Sequence, residues 1–304
     1  EFINIHIAAT GLHYGQEAFE GMKAFMGKDG KIRLFRWKDN ASRLNSSARG
    51  IAMQEVPEQL FYKAINMAVL NNKEYIPPYG TGASLYIRPL LFGSGAEVGV
   101  KPGKEYSLIV FVTPVGPYFK EGFKPVEFQL VRDYDRAAPK GTGHIKVGGN
   151  YAASLVATVR AHKEGFGSVM FVDSKEGKYI DECGPANFFA IKGNKYITPS
   201  SNSILPSITN KCLMTLAEDM GLIVERRPVE VVELSDFDEV GACGTAAVIS
   251  PIKKIFDRSN GVNYMFCSNG EAGNISTKLF NRLQAIQYGD EEDKFGWITI
   301  VEAN

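Results

Sequence analysis

Apolar and charged positions alternate through Lys31-Ile32-Arg33-Leu34-Phe35-Arg36, the period-two pattern of a strand with one buried face. The period then changes. Residues 40–50 read as a helix stopped by a glycine. Residues 59–71 read as a second helix, with Leu60, Ala64 and Met67 on one face beside Phe61, Ile65 and Ala68. Residues 83–92 and 107–112 are rich in β-branched and aromatic side chains and predict strands. Residues 113–122 carry two prolines and two glycines, a linker signal. Beyond it the pattern predicts strands at 126–131, 168–172, 187–191, 196–198, 224–231 and 246–255, and helices at 151–163, 209–220 and 276–288. The mixture has no regular βαβ rhythm, so the expectation is α+β layers rather than one doubly wound sheet. Residues 1–112 would form a smaller N-terminal domain and 113–125 a linker. Residues 126–304 would form a larger C-terminal domain.

Bulk properties narrow the function classes. The 304 residues are 44% hydrophobic and 22% charged, with 34 Lys+Arg against 34 Asp+Glu. Zero formal net charge gives no global electrostatic case for nucleic acid or an anionic membrane. No apolar run reaches the ~18–20 residues that span a bilayer. The N-terminus lacks a basic start and a long apolar region, so no signal peptide is expected, and the missing initiator Met suggests part of a longer chain. Cys183, Cys212, Cys243 and Cys267 share no CxxC spacing, which favours a reduced, cytoplasmic setting. The histidines form no metal-ligand pattern, so no metal is expected.

The candidate chemistry starts at Lys146, in Gly143-His144-Ile145-Lys146-Val147-Gly148-Gly149-Asn150-Tyr151. A Schiff-base lysine must lose its proton near neutral pH and wants a desolvated, electropositive site. A pyridoxal ring also needs a carboxylate at its nitrogen, and Glu182, before Asn187 and an apolar run, is the candidate. The plain alternative is a solvated lysine. Pro206-Ser207-Ile208-Thr209 opens the helix at 209–220, either as an anion site or as ordinary capping by Ser207 or Thr209. Gly244-Thr245-Ala246-Ala247 is a turn that brings backbone close to a ligand, or merely a tight loop. Tyr86 and Arg88 share a strand face. An inward arginine needs an acid partner or an incoming anion. Arg43 is a surface charge or a phosphate clamp. The glycines at 141–149 fit neither GxGxxG nor GxxxxGK[ST].

Taken together, His13-Tyr14-Gly15-Gln16-Glu17-Ala18-Phe19-Glu20-Gly21-Met22-Lys23-Ala24-Phe25, Arg33-Leu34-Phe35-Arg36, Ser84-Leu85-Tyr86-Ile87-Arg88-Pro89, Pro114-Val115-Gly116-Pro117-Tyr118-Phe119 and Lys146-Val147-Gly148-Gly149-Asn150-Tyr151 closely resemble the branched-chain amino acid aminotransferases. These are fold-type IV (D-amino acid aminotransferase-like) pyridoxal 5'-phosphate enzymes. The resemblance runs from about residue 8 to Ile286-Gln287-Tyr288-Gly289.

It implies transamination between Leu, Ile or Val and 2-oxoglutarate, giving branched-chain 2-oxo acids and glutamate in branched-chain amino acid biosynthesis and metabolism. Lys146 would be the cofactor lysine, carried on the C-terminal domain. Tyr151 would partner the phenolic oxygen and Glu182 the pyridine nitrogen. Asn187 would join the cofactor site, with Arg43, Ile208, Thr209 and Thr245 as the phosphate cup. Substrate would meet Tyr14, Phe19, Tyr86, Arg88, Tyr118, Thr245 and Ala246. Val98 would come from a partner subunit, which implies a homodimer. The CxxC pair of the animal enzymes is absent, because Ala246-Ala247-Val248-Ile249-Ser250 stands there. D-Amino acid aminotransferase and 4-amino-4-deoxychorismate lyase are the rivals on the same fold, and a non-catalytic binding protein is the rival class.

Overall fold

The computed structural model describes residues 2–116, 123–267 and 269–302. It divides into two compact units: Glu1–Pro117 with Ile145–Gly149 and Ile286–Asn304, and Tyr118–His144 with Asn150–Ala285.

The first unit contains α1 (Thr10–Tyr14), β1 (Glu17–Phe19), β2 (Met22–Met26), β3 (Ile32–Phe35), α2 (Trp37–Gly50), α3 (Glu58–Leu70), β4 (Ser84–Gly93) and β5 (Tyr106–Val115). Its antiparallel sheet runs β1-β4-β2-β3 and ends on the C-terminal strand Ile298–Ile300, while β5 also pairs with β4. β1 and β2 follow one another along β4 in a single register, Phe19 opposite Leu90 and Met22 opposite Ile87. Glu20-Gly21 is the break between them, and the Glu20 N–H still donates to Pro89 O at 2.8 Å. Gly21 is there because Tyr86 claims the space: a Cβ would lie 2.3 Å from the Tyr86 hydroxyl.

Two sequence expectations change in this unit. Thr113, Pro114 and Val115 extend β5 instead of starting the linker; proline is tolerated in a strand with one unpaired side. The apolar stripe of α3 is narrower than expected. Phe61, Ile65 and Val69 are buried, whereas Leu60 and Met67 are each 51% exposed. The core behind this stripe is built from Leu34, Leu44, Leu85 and Ile87.

The second unit contains β6 (Val126–Val131), α4 (Gly148–Lys163, whose first residues belong to the first unit), β7 (Ser168–Phe171), β8 (Glu182–Cys183), β9 (Ala186–Lys192), β10 (Lys195–Pro199), α5 (Ile208–Asp219), β11 (Ile223–Arg227), β12 (Glu239–Gly244), β13 (Val248–Asp257), β14 (Val262–Met265) and α6 (Asn274–Tyr288, whose last residues belong to the first unit). The mixed sheet runs β11-β10-β9-β12-β13-β6-β7, with β8 on β9 and β14 on β13. Phe128, Leu130, Phe188, Ile197 and Ile252 form its core. β11 stops at Arg227, short of the expected 231, because Pro228 cannot donate to a ladder. A 3-10 turn at Val231–Asp236 follows, closed by reciprocal bonds between Glu230 and Glu233. β12 went unread because its glycines dilute the strand signal. Gly241 is required there, since a Cβ would meet the Phe189 ring at 2.6 Å.

Candidate active site

In the first unit the functional side chains gather around Phe19 at the end of β1. The Lys146 ammonium lies 4.8 Å from the Phe19 ring centroid and the Arg88 guanidinium 4.6 Å from it. Two cations therefore flank one aromatic ring. Lys146 is fixed by its backbone. Its N–H donates to Ser47 Oγ at 2.8 Å, and its carbonyl accepts from the Phe19 N–H at 3.1 Å. Arg88 sits two residues beyond Tyr86 on β4, so both face the same way. Arg88 donates to the Tyr86 hydroxyl at 2.7 Å. Its buried Nε has no hydrogen-bond partner, and no carboxylate pairs with it among the described residues. Its contacts among the described residues are the Tyr86 hydroxyl and the Phe19 and Tyr86 rings.

Arg43, on α2, is no surface charge. Its Nε and a terminal nitrogen donate to both oxygens of Glu20, each at 2.7 Å, and Glu20 is wholly buried. Asn40, one turn earlier on α2, donates to Glu20 Oε2 at 2.8 Å. Glu20 was quoted in the sequence motif without a role. A lone acid between two apolar strands was the available signal. The bidentate pair fixes the direction of the Arg43 fork.

In the second unit Glu182 opens a two-residue strand opposite Asn187. Both are buried. Glu182 Oε1 accepts from the Leu205 N–H and from Asn187 Nδ2 at 3.3 Å, and Arg136 places positive charge 3.5 Å away. The sequence reading missed Arg136, which lies in a loop without periodicity. Neighbouring Asp181 points elsewhere, onto Ser201 and Ser203, and burial pushes its carboxyl up from the usual range. Ser207 caps α5 by accepting the Asn210 N–H at 3.2 Å. This leaves the N–H groups of Ile208 and Thr209, the first two of the helix, without an acceptor inside it. Capping and an anion site are thus compatible here. Tyr151 lies in the first turns of α4, half-buried.

Thr245 and Ala246 form the turn between β12 and β13, in the hairpin where Gly244 pairs with Val248. Val248 has φ 64°, a left-handed value costly for a β-branched residue. Tyr14 and Val98 form a separate group. The Tyr14 hydroxyl accepts the Gly99 N–H at 3.2 Å, and Tyr14 and Val98 are 47% and 84% exposed. Tyr118 lies outside the described residues. All four cysteines are free, and no cluster of three metal-ligating side chains occurs among the described residues. No helix among them is long and apolar enough to cross a membrane.

The Amino-transferase class IV family matches residues 17–255. The chain is 46% identical to a branched-chain-amino-acid aminotransferase of Haemophilus influenzae, covering 99% of this chain and 89% of that one. It is 47% identical to the Helicobacter pylori branched-chain-amino-acid aminotransferase over 94% of this chain and 84% of the relative. Among solved structures, a T.th. branched-chain amino acid aminotransferase with pyridoxamine 5'-phosphate superposes with a TM-score of 0.86 at 25% identity, covering 98% of this chain and 94% of that one.

Proposed function

The chain belongs to the class IV aminotransferases, and from that premise we propose that it exchanges the amino group between branched-chain L-amino acids and 2-oxoglutarate. The observation that carries the reading is the pair of cations, Lys146 and Arg88, on the Phe19 ring. An apolar wall suits a branched side chain. A cation without an acid partner suits a carboxylate.

The donor set fits pyridoxal 5'-phosphate. Two amide N–H groups at a helix N-terminus suit a phosphate. A buried carboxylate with its own donors suits a protonated ring nitrogen, and the lysine suits the aldehyde carbon. When bound, this cofactor supplies an electrophilic carbon for the amino group and a sink for the electrons released at the substrate Cα.

The protein's part follows from its residues. Ile208, Thr209 and Thr245 bind the phosphate, with Arg43 held in position by Glu20. Glu182 keeps the proton at the ring nitrogen, and Asn187 holds Glu182. Tyr151 donates to the phenolic oxygen. Lys146 carries the cofactor covalently. With its amine free, Lys146 would serve as the general base and acid that moves a proton between the substrate Cα and C4′ of the cofactor. The Thr245-Ala246 turn and Tyr86 hold the α-carboxylate. Arg88 pairs the second carboxylate of glutamate and 2-oxoglutarate, and Phe19 walls the side-chain pocket.

Tyr14, at the end of α1, and Val98, beside the Gly99 that bonds Tyr14, are exposed and serve the site of a second copy, so the active unit is a homodimer. The four free cysteines fit a reducing, cytoplasmic compartment. Borohydride reduction and peptide mapping test the assignment. The cofactor is expected on Lys146, and a label on any other lysine, or none, would overturn it.

A further inference from the structure

A buried chain of side chains runs from the first turn of α5 to Glu182, and Asn210 is its centre. The Tyr196 hydroxyl donates to Asn210 Oδ1 at 2.7 Å. Asn210 Nδ2 donates to Thr198 Oγ1 at 2.9 Å and to Asn187 Oδ1 at 3.4 Å. Asn187 Nδ2 in turn donates to Glu182 Oε1 at 3.3 Å and to Leu205 O at 3.1 Å. Thr198 spends its own proton on Phe188 O at 2.8 Å, so its oxygen is left to accept from Asn210. Tyr196 is wholly buried, and burial pushes its phenol well up, so it stays a donor. These bonds fix the orientation of each amide. The backbone of Asn210 is tied separately, through its N–H to Ser207 Oγ, immediately after Ile208 and Thr209.

We infer that Asn210 is a positioning residue of the transamination: it couples the helix N-terminus proposed to hold the phosphate to the Asn187–Glu182 pair proposed to hold the ring nitrogen. The inference rests on the proposed roles of Glu182, Ile208 and Thr209. Its logic is mechanical. A rigid cofactor requires its phosphate site and its ring-nitrogen site to keep one spacing. The phosphate site stands on the α5 terminus, and the carboxylate stands on the β8–β9 hairpin. Asn210 is bonded to both. Its loss leaves the buried Asn187 Oδ1 without a donor, which loosens the amide that holds Glu182. The bonds at 3.3 and 3.4 Å are long, so the expected effect is about tenfold rather than about a hundredfold.

The test uses Asn210→Leu, which keeps the heavy-atom count and branching and removes every hydrogen bond of the side chain. In the holoenzyme carrying pyridoxal 5'-phosphate labelled with 15N at the ring nitrogen, NMR reads whether that nitrogen is protonated as pH is varied. The variant is expected to lose the proton at a lower pH than the parent. The apoprotein should bind pyridoxal 5'-phosphate about tenfold more weakly, with a smaller loss for pyridoxal lacking the phosphate, and kcat should fall about tenfold. A folded variant with unchanged nitrogen signal and affinity overturns the inference, as does lowered thermal stability with both readouts unchanged. If the leucine variant does not fold, Tyr196→Phe decides. It frees one end of Asn210 and should shift the same readouts in the same direction by about threefold, while no shift overturns the inference. Glu182→Gln is the control. If it leaves the nitrogen signal unmoved, the ring-nitrogen assignment has failed; if it moves the signal and Asn210→Leu does not, only the coupling has failed.

Discussion

Arg88→Ala separates the two substrates of one pocket. In the parent, the guanidinium donates to the Tyr86 hydroxyl at 2.7 Å, lies over the Phe19 and Tyr86 rings at 4.6 and 5.3 Å, and leaves Nε unbonded. Glutamate and 2-oxoglutarate bring, beyond the α-carboxylate that leucine also carries, a side-chain carboxylate that must be paired when it leaves water. Removing its charged donor costs about 2–3 kcal/mol, roughly 30- to 150-fold. Leucine brings no such group. It loses only the bracing of the two rings, about 1 kcal/mol for a cation over an aromatic face, or about fivefold. The glutamate half-reaction should therefore suffer at least several times more than the leucine half-reaction. Single-turnover stopped-flow absorbance of the bound cofactor, with each substrate on parent and variant, measures both losses. Equal losses would show that Arg88 only supports Phe19 and Tyr86, and the dual-substrate argument would fall.

Glu182→Gln should retain the cofactor and lower kcat on the order of 10²-fold, because an amide does not hold the ring proton; near-parental turnover removes Glu182 from the mechanism. Burial holds the Lys23 ammonium down at about 8 against a usual value of 10.5. The unfolded chain thus binds this proton more tightly, and stability attributable to Lys23 rises as pH climbs from about 8 to about 10.5. Lys23→Met should accordingly remove this rise, so that its stability changes less than the parent's between pH 7 and about pH 10; urea melts of both proteins at the two pH values check the sign. Val98→Asp should weaken self-association and activity together. Sedimentation of the parent at assay concentration should give at least twice 33.4 kDa, and a fully active monomer would refute the shared pocket.

Periodicity alone placed the long elements. β6 and the helices α3 and α5 fall within a residue of their expected bounds, because each carries its own apolar face and its own stop signal. The candidate roles of Lys146, Glu182, Arg88 and the Ile208-Thr209 turn came from the family resemblance, because each residue type taken alone has a plainer use as a solvated lysine, a paired charge or a helix cap. Sequence could not choose between alternatives that depend on neighbours distant in the chain. Arg88 needed an acid or an anion, and only the folded sheet shows that no acid is there among the described residues. Arg43 read as surface or clamp, and only the register of β1, β2 and β4 brings the buried Glu20 to it. The short strands β1 and β2 and the glycine-containing β12 carry too little local preference to be read. They exist because pairing partners supply the hydrogen bonds, and Gly21 and Gly241 leave room for Tyr86 and Phe189. The Tyr196–Asn210–Asn187–Glu182 chain is the extreme case. Its members come from two hairpin strands, a third strand and a helix, so their order along the chain carries no trace of their contact, and only the tertiary packing creates it.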